Sequence, residues 1–419
     1  MELSDLAAQV KRLGAAHQTR RAALQRLSAG SVAAGLLTAA GTRSGRAQTW
    51  EGSTPTAASA PGAPASPPAP IAGVSGGLPP FAYPLEASAP TEYIAGTVRW
   101  ASNVQFPTVQ GAAFASEHLG AGGLRELHWH LNAHELTYCL AGQGRIGIFA
   151  PDGTSETLAI RPGSITFVPN GYTHYIQNTS PDDLHVLTAF THEQPETTDL
   201  SQALPGIPTL LLAQTFGVSA NDFPFLATRG NRVLVSLPED GQDEPAGTPV
   251  AAVPSAYSVN ADQLPVVTFA GGTVQPLTAE QIPRLQGITV FPLRAVPHGL
   301  REPHWHPNAG ELDYFVSGHA QIGLVAPDGN LQTVAVGPGD IAFLPQNWFH
   351  YIASVSDEPL QILIFFLTSD PRVETINLSQ TVDNVPAQVL AASFDSDPAQ
   401  FAALPKRGTV GIAPPVAAD

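Results

Sequence analysis

The chain repeats itself. Leu-Arg-Glu-Leu-His-Trp-His at 124–130 returns as Leu-Arg-Glu-Pro-His-Trp-His at 300–306, Ala-Gly-Thr-Val at 95–98 as Gly-Gly-Thr-Val at 271–274, and Ala-Pro-Asp-Gly at 150–153 again at 326–329. All three pairs stand 176 residues apart, and Phe190 and Phe366 keep that offset. Further on the offset is 178: Leu-Ser-Gln at 200–202 matches 378–380, Pro208 matches Pro386, and Arg229-Gly230 matches Arg407-Gly408. An offset held over such a length means one folding unit used twice. The extra two residues fall within 191–199 against 367–377, a variable loop. The fold must therefore be one that about 150 residues can build alone, and then build again.

The punctuation of the repeat says what that unit is. From residue 81 onward, runs of Val, Ile, Phe and Thr are cut by Gly, Pro and Asp-Gly, in a chain holding 38 Gly and 40 Pro. Short β-branched and aromatic runs between turn residues specify many strands. Residues 145–149 and 156–160 flank the hairpin dipeptide Asp152-Gly153, Pro162-Gly163 ends the second of these strands, and 165–168 is a further one. Mixed apolar segments at 209–216 and 388–394 read as short helices closing each copy. The expected fold class is all-β, two tandem jelly-roll domains with short helical appendices. The expected boundaries are 81–230 and 255–419, joined by a linker at 231–254.

Ahead of the repeat the composition changes. Arg20-Arg21 precedes an uncharged stretch at 27–41, and small residues at Gly45 and Ala47 follow Arg43. The stretch is too short to span a membrane but suits a signal peptide over 1–47, with paired arginines resembling a twin-arginine export signal. Residues 48–80 form a tether, since 52–80 hold eight Pro among Ala, Gly, Ser and Thr. The formal charge of −16 would become about −21 once 1–47, with seven basic and two acidic residues, is removed. Such a chain offers no basic face to nucleic acid or to an anionic membrane. Its single cysteine, Cys139, excludes an internal disulfide and any CxxC zinc or redox site. It reads as a buried residue in a strand.

The chemistry lies among the 13 histidines. The first copy places Gly122, His128, His130, Glu135 and Gly142 in one cluster, then Gly163, Pro169, Gly171, His174 and Asn178 in another. The second places His304, His306, Glu311 and Gly318, then Gly339, Pro345 and His350. On a strand alternate side chains share a face, so His128 and His130 point one way and Trp129 the other, as do His304 and His306 against Trp305. Three imidazoles and a carboxylate suit Mn, Fe, Ni, Cu or Zn without choosing among them. These spacings closely resemble the paired motifs of the cupin superfamily, whose double-stranded β-helix is a jelly roll. The second copy departs from the motif at His298, Asn347 and Ser354, which are turn or strand-end positions. His134, His192 and His319 match no ligand position.

The repeated Leu-Arg-Glu-(Leu/Pro)-His-Trp-His, with the doubling and the trailing helices, is similar to the bicupins of the oxalate decarboxylase and oxalate oxidase group, over nearly all of 81–408. That resemblance implies Mn(2+) in each domain, dioxygen as co-catalyst, a small dicarboxylate substrate, and trimers or hexamers. It implies that Arg125 and Arg301 grip the substrate carboxylate. A strictly alternating strand would turn Arg125 away from His128, so this role requires a bulge near Glu126. The family closes its first site with an acidic lid, here 191–199, which lacks the usual Ser-Glu-Asn-Ser-Thr run; Glu193 and Glu196 are the acids available there, and Glu374 and Asp370 in the second copy. Ile364 stands where the family carries a glutamate in its second domain, which speaks against catalysis there. An acid placed to protonate the one-carbon fragment would yield formate, and its absence would permit oxidation with release of peroxide. A third reading is an exported protein that holds metal or a small ligand without turnover.

Overall fold

The computed structural model describes residues 80–227, 232–237, 255–368 and 372–416. The expected signal peptide at 1–47, all but Pro80 of the expected tether, most of the expected 231–254 linker and Asp370 lie outside the described residues.

The first half runs through β1 (Ala82–Tyr83), β2 (Thr91–Tyr93), β3 (Gly96–Ala101), β4 (Ala113–Leu119), β5 (Gly123–His130), β6 (Glu135–Ala141), β7 (Gly144–Phe149), β8 (Ser155–Ile160), β9 (Ser164–Val168), β10 (Thr173–Asn178), β11 (Leu184–Phe190), β12 (Thr197–Asp199) and β13 (Leu234–Ser236). One sheet has the order β12-β5-β10-β7-β8, with β13 also on β5; the other runs β9-β6-β11-β4-β3-β2. Every pairing is antiparallel. Ile146, Ile148 and Ile176 of the first sheet meet Ala113, Ala115, Cys139 and Phe190 of the second in one buried cluster, the filling of a jelly roll. The Asp152-Gly153 hairpin forms between β7 and β8, and Cys139 is buried in β6.

The second half repeats this with β14 (Ser258–Asn260), β15 (Val267–Phe269), β16 (Gly272–Val274), β17 (Thr289–Ala295), β18 (Leu300–Trp305), β19 (Gly310–Ser317), β20 (Ala320–Val325), β21 (Leu331–Val336), β22 (Ile341–Leu344), β23 (Phe349–Ser354), β24 (Leu360–Leu367), β25 (Ile376–Asn377) and β26 (Ile412–Ala413). Its own interior gathers Ile322, Leu324, Ile352, Ile362 and Phe366. Helices at Thr209–Phe216 and Ala387–Ser393 trail the two halves, the first ending on Gly217 at φ 68°. At two positions where the second copy lacks the motif glycine the backbone is unchanged: His298 (φ 56°) and Asn347 (φ 68°) take the left-handed turn that Gly122 (φ 67°) and Gly171 (φ 79°) take in the first.

The halves are not joined end to end. β1, which opens the first half, pairs with β22 of the second, Ala82 opposite Ala342. β14, which opens the second, pairs with β9 of the first, Ser258 opposite Thr166. Each copy thus completes the other's sheet, and residue 81 begins a strap on its neighbour where the sequence suggested the start of a self-contained domain. Behind the exchanged strands lies a shared core in which Phe114, Leu136, Phe167 and Leu187 meet Leu312, Phe343, Leu363 and Phe365. Phe114 and Phe365 touch edge to face at 5.0 Å. Sheets covered on both faces need apolar residues on both, which is why Leu-Gln-Ile-Leu-Ile-Phe-Phe-Leu in β24 shows so little alternation. Phe114→Ala should cost about 3–5 kcal/mol. Urea denaturation should show both halves lost in one transition; two separated transitions would contradict the shared core.

Candidate metal centres

β5 carries the first cage, and its shape comes from a pairing irregularity. His128 lies opposite His174 on β10, but Arg125 lies opposite Ile176, so three steps along β5 match two along β10. In the second half His304 faces His350 and Arg301 faces Ile352, the same bulge. One extra residue reverses the alternation. Arg125 is consequently buried close to His128 instead of facing out, and Arg301 lines one cavity with His304, His306 and Glu311. The carboxylates inside the bulges anchor the trailing segments: Glu126 accepts from the Ser201 N–H and hydroxyl, and Glu302 from the N–H groups of Ser379 and Gly411.

His128, His130, Glu135 and His174 converge with their ligating atoms within 4.8 Å of one another, and so do His304, His306, Glu311 and His350. All eight side chains are buried. Backbone carbonyls fix the imidazoles: Nδ1 of His128, His174, His304 and His350 donates to Glu126, Tyr172, Glu302 and Trp348 at 2.7–2.9 Å. His306 Nδ1 donates to the Glu374 carbonyl at 2.9 Å, and the hydroxyls of Thr197 and Thr375 stand 3.0 and 3.1 Å from Nδ1 of His130 and His306. A proton held on Nδ1 leaves the Nε2 lone pair facing inward.

Those inward atoms face other acceptors. Nε2 of His130 and His174 stand 2.8 and 3.0 Å from Glu135 Oε2, and Nε2 of His306 and His350 stand 3.0 and 3.3 Å from Glu311 Oε2. In the second cage both of those Nε2 atoms and both Glu311 oxygens are buried without a hydrogen-bond partner. Acceptors this close repel unless a cation lies between them, and a divalent transition ion meets all four donors at once. Burial, then the charge of Arg125 or Arg301, pushes His128 and His304 well below the usual imidazole range, so both are neutral. Burial opposes the charges of Glu135 and Glu311, but the positive charge of the facing imidazoles when protonated outweighs it and holds both carboxyls well below the usual range, a charge that a bound cation would supply in their place.

Around these matching cages the halves differ. Arg125 Nη1 donates to Asp199 Oδ1 at 2.6 Å in a buried ion pair, whereas Arg301 Nη1 meets the neutral Asn377 Oδ1 at 2.9 Å and the Gly411 carbonyl at 3.1 Å. Desolvation pushes Arg301 down to about 10, so it keeps its charge at neutral pH. Thr137 donates to Glu135 Oε1 at 2.8 Å; its counterpart Asp313 is a buried carboxyl pushed well above the usual range by burial and the Glu311 charge, and so protonated. The second cage opens to a cavity of about 210 Å3 walled by Phe291, Ile364 and Phe366.

The expected lid acids are not brought to the first cage. Glu193 Oε2 accepts from the Gly111 N–H at 3.1 Å, and Glu196 is exposed. Glu374 is exposed too, contributing its carbonyl to His306. The end of the lid segment is a strand, because Thr197 and Asp199 pair with His130 and His128 on β5. The segment therefore contributes Asp199, which the sequence analysis did not single out. It also passed over Glu117, buried on the interior face of β4 where the second copy has Leu293. Burial pushes this carboxyl up to about 7, with Arg125 pulling against and the Glu135 charge adding to it. An acid among the alternating small residues of β4 was the available signal.

Comparison with known proteins follows the same lines. A family model described as Cupin matches residues 83–223 and 259–401. The chain is 27% identical over 294 residues to oxalate decarboxylase OxdC of Bacillus subtilis (70% of this chain, 76% of that protein). It is 29% identical over 300 residues to a probable oxalate decarboxylase of Arthroderma benhamiae (69% and 72%). A solved structure of the Bacillus subtilis enzyme, titled by its Mn(II) centres, superposes with a TM-score of 0.72 at 24% identity, covering 81% of this chain and 90% of that one.

Glu117 carries a pH signature. Its folded value of about 7 lies above the ordinary 4.5. The folded protein therefore holds a proton that the unfolded chain has lost, and stability falls as pH rises from 4.5 through 7. In metal-free protein, Glu117→Gln should be more stable than the parent by about 3 kcal/mol at pH 8, with the gap closing near pH 4. Urea titrations at the two pH values check this; a gap independent of pH would refute it.

Proposed function

Because the chain belongs to the cupin family and carries its domain twice, we propose that it is a manganese-dependent bicupin that decarboxylates oxalate to formate and carbon dioxide. The observation that carries the reading is the bulge, which sets an arginine beside a buried three-histidine, one-glutamate cage in each half. A protein storing metal has no use for that arginine. The relatives named as oxalate decarboxylases, and the Mn(II) centres of the superposing structure, support the substrate and the metal.

His128, His130, Glu135 and His174 would hold one ion, and His304, His306, Glu311 and His350 the other. Bound manganese supplies a coordination point for one carboxylate and one-electron exchange with dioxygen that weakens the carbon–carbon bond. Arg125 then grips the second carboxylate in two-point fashion, exchanging Asp199 for the substrate, charge for charge. Asp199 limits this half to dianions able to displace it. Glu117, protonated below about pH 7 and buried near Arg125 and His174, would hold the proton that the one-carbon fragment needs to leave as formate.

A second reading, oxidation to carbon dioxide with hydrogen peroxide, is favoured by one feature of the second half. Arg301 has no carboxylate partner in its cavity, so a dianion meets an uncompensated charge there, yet Glu311 is the only acid among the described residues lining it. Substrate bound in that half would meet no protonated acid on the cavity wall, Asp313 not being among the lining residues. Export by the twin-arginine route to the periplasm or beyond rests on Arg20-Arg21 and the segment after it. Assembly with further copies into trimers or hexamers is supported by Leu210, Phe216, Phe225 and Phe394, exposed on the trailing helical segments.

Formate and peroxide measured together on oxalate test both readings. Formate should dominate, and Arg125→Gln should lower it at least about 100-fold with both metals retained; Arg301→Gln should remove only peroxide. Manganese-loaded protein that forms neither formate nor peroxide would overturn the oxalate assignment. An exported chain starting near residue 48 and a solution mass of several chains are the expected companions.

A further inference from the structure

A third set of ligating side chains meets at the seam between the halves. β4 and β11 run antiparallel with His118 directly opposite His185, so the two share a face, and their rings stack at 3.9 Å with 21° between planes. Their neighbours Glu117 and Val186 point into the first interior, which turns this pair toward the second half. The doubled fold does not demand histidines here, for Arg294 and Gln361 occupy the equivalent pair. Over the stacked rings lies Glu86, on the strap that follows β1. Its N–H donates to the Gly339 carbonyl at 3.0 Å, and Gly339 (φ +85°) leaves open the space in which a Cβ would come within 2.7 Å of the Glu86 side chain. The Tyr314 hydroxyl of the second half donates to Glu86 Oε1 at 3.3 Å.

His185 Nε2 stands 3.4 Å from Glu86 Oε1, and His118 Nε2 stands 3.5 Å from Glu86 Oε2. Charge-assisted hydrogen bonds close to about 2.7–2.9 Å, so these contacts, at 3.4 and 3.5 Å, are open by about half an ångström or more. They do match the edge of a tetrahedral shell, in which donors about 2.0–2.1 Å from a zinc ion lie roughly 3.3–3.4 Å from one another. We propose that Glu86, His118 and His185 form a third divalent-metal site, of the zinc class, that clips the strap, where it lies on the second half, to the β4–β11 pair of the first. Two imidazoles and one carboxylate favour zinc over the oxygen-seeking manganese. Side-chain exposures of 24%, 32% and 17% for Glu86, His118 and His185 leave room for water in the remaining position. Ser116 Oγ, 2.9 Å from His185 Nε2, competes for the lone pair that a cation takes and must turn aside when one binds. Arg99 opposes the cation, its Nη1 3.9 Å from Glu86 Oε2, but it is drawn aside by the bond from its Nε to the Ser88 carbonyl at 3.2 Å. The site is therefore weaker than either cage.

The proposal is independent of what the cages hold or turn over. Full-length protein and a His118→Gln/His185→Gln variant are stripped with chelator, dialysed against the same zinc concentration and analysed for bound zinc. The wild type should hold one zinc per chain more than the variant, and zinc should raise its thermal midpoint further. Glu86→Gln, which leaves both histidines in place, should weaken the additional equivalent by at least about tenfold. Equal zinc content in wild type and folded double variant would overturn the site, as would unchanged zinc affinity in Glu86→Gln.

Discussion

One extra residue in a strand organises both cages. A flat β5 would set His128 and His130 on one face and turn Arg125 to the other. Because three residues of β5 answer two of β10, the guanidinium comes round to the imidazoles. β18 and β23 make the same mismatch with Pro303 inside it, a residue that cannot donate to a ladder and is at home in a bulge. The bulge also frees Glu126 and Glu302 to tie down the N–H groups of the trailing segments. Those segments in turn return Thr197 and Thr375 to the ligand histidines. Remove the irregularity and the metal ligands keep their face, but the site loses its arginine and much of its support.

Duplication preserved the cage and let the surroundings drift. Ligands, carbonyl props and bulge are common to both halves. Asp199 against Asn377, Thr137 against Asp313 and Glu117 against Leu293 are not. The first exchange alters charge, and the other two place a buried carboxyl proton in one half only, within a dry volume where such differences weigh most. The first half is balanced, its arginine matched by an aspartate, with a protonated acid alongside. The second leaves an arginine unmatched by any carboxylate above an apolar cavity. Identical coordination in two electrostatic settings is how one scaffold can treat the same anion in two ways.

The shared core and exchanged strands place the two sites in one cooperative body. Phe114 and Phe365 belong to different copies yet pack as one interior, and one sheet of each half ends on a strand lent by the other. The seam beneath Glu86 is part of the same arrangement, since the strap must cross to β22 before its carboxylate can reach His118 and His185.

Much of this was legible in residue order. The doubled all-β unit follows from a constant offset, the hairpin from Asp152-Gly153 and the shared face of each His-Trp-His from period-two alternation, while the full set of eight ligands follows from the resemblance of their spacing to the cupin motifs. Even the bulge could be required in advance, because Arg125 and His128 are an odd number of residues apart. Three things could not be read. The exchange of β1 and β14 depends on which sheet edge lies nearest after both copies have folded. The lid segment faces outward at Glu193 and Glu196 because its last residues pair with β5, and that register delivers Asp199 to Arg125, 74 positions away. Glu117 is an acid like any other until the opposing sheet closes over it. Periodicity dictates which side chains share a face; what stands across from that face, and how dry the space between becomes, is settled only when distant strands meet.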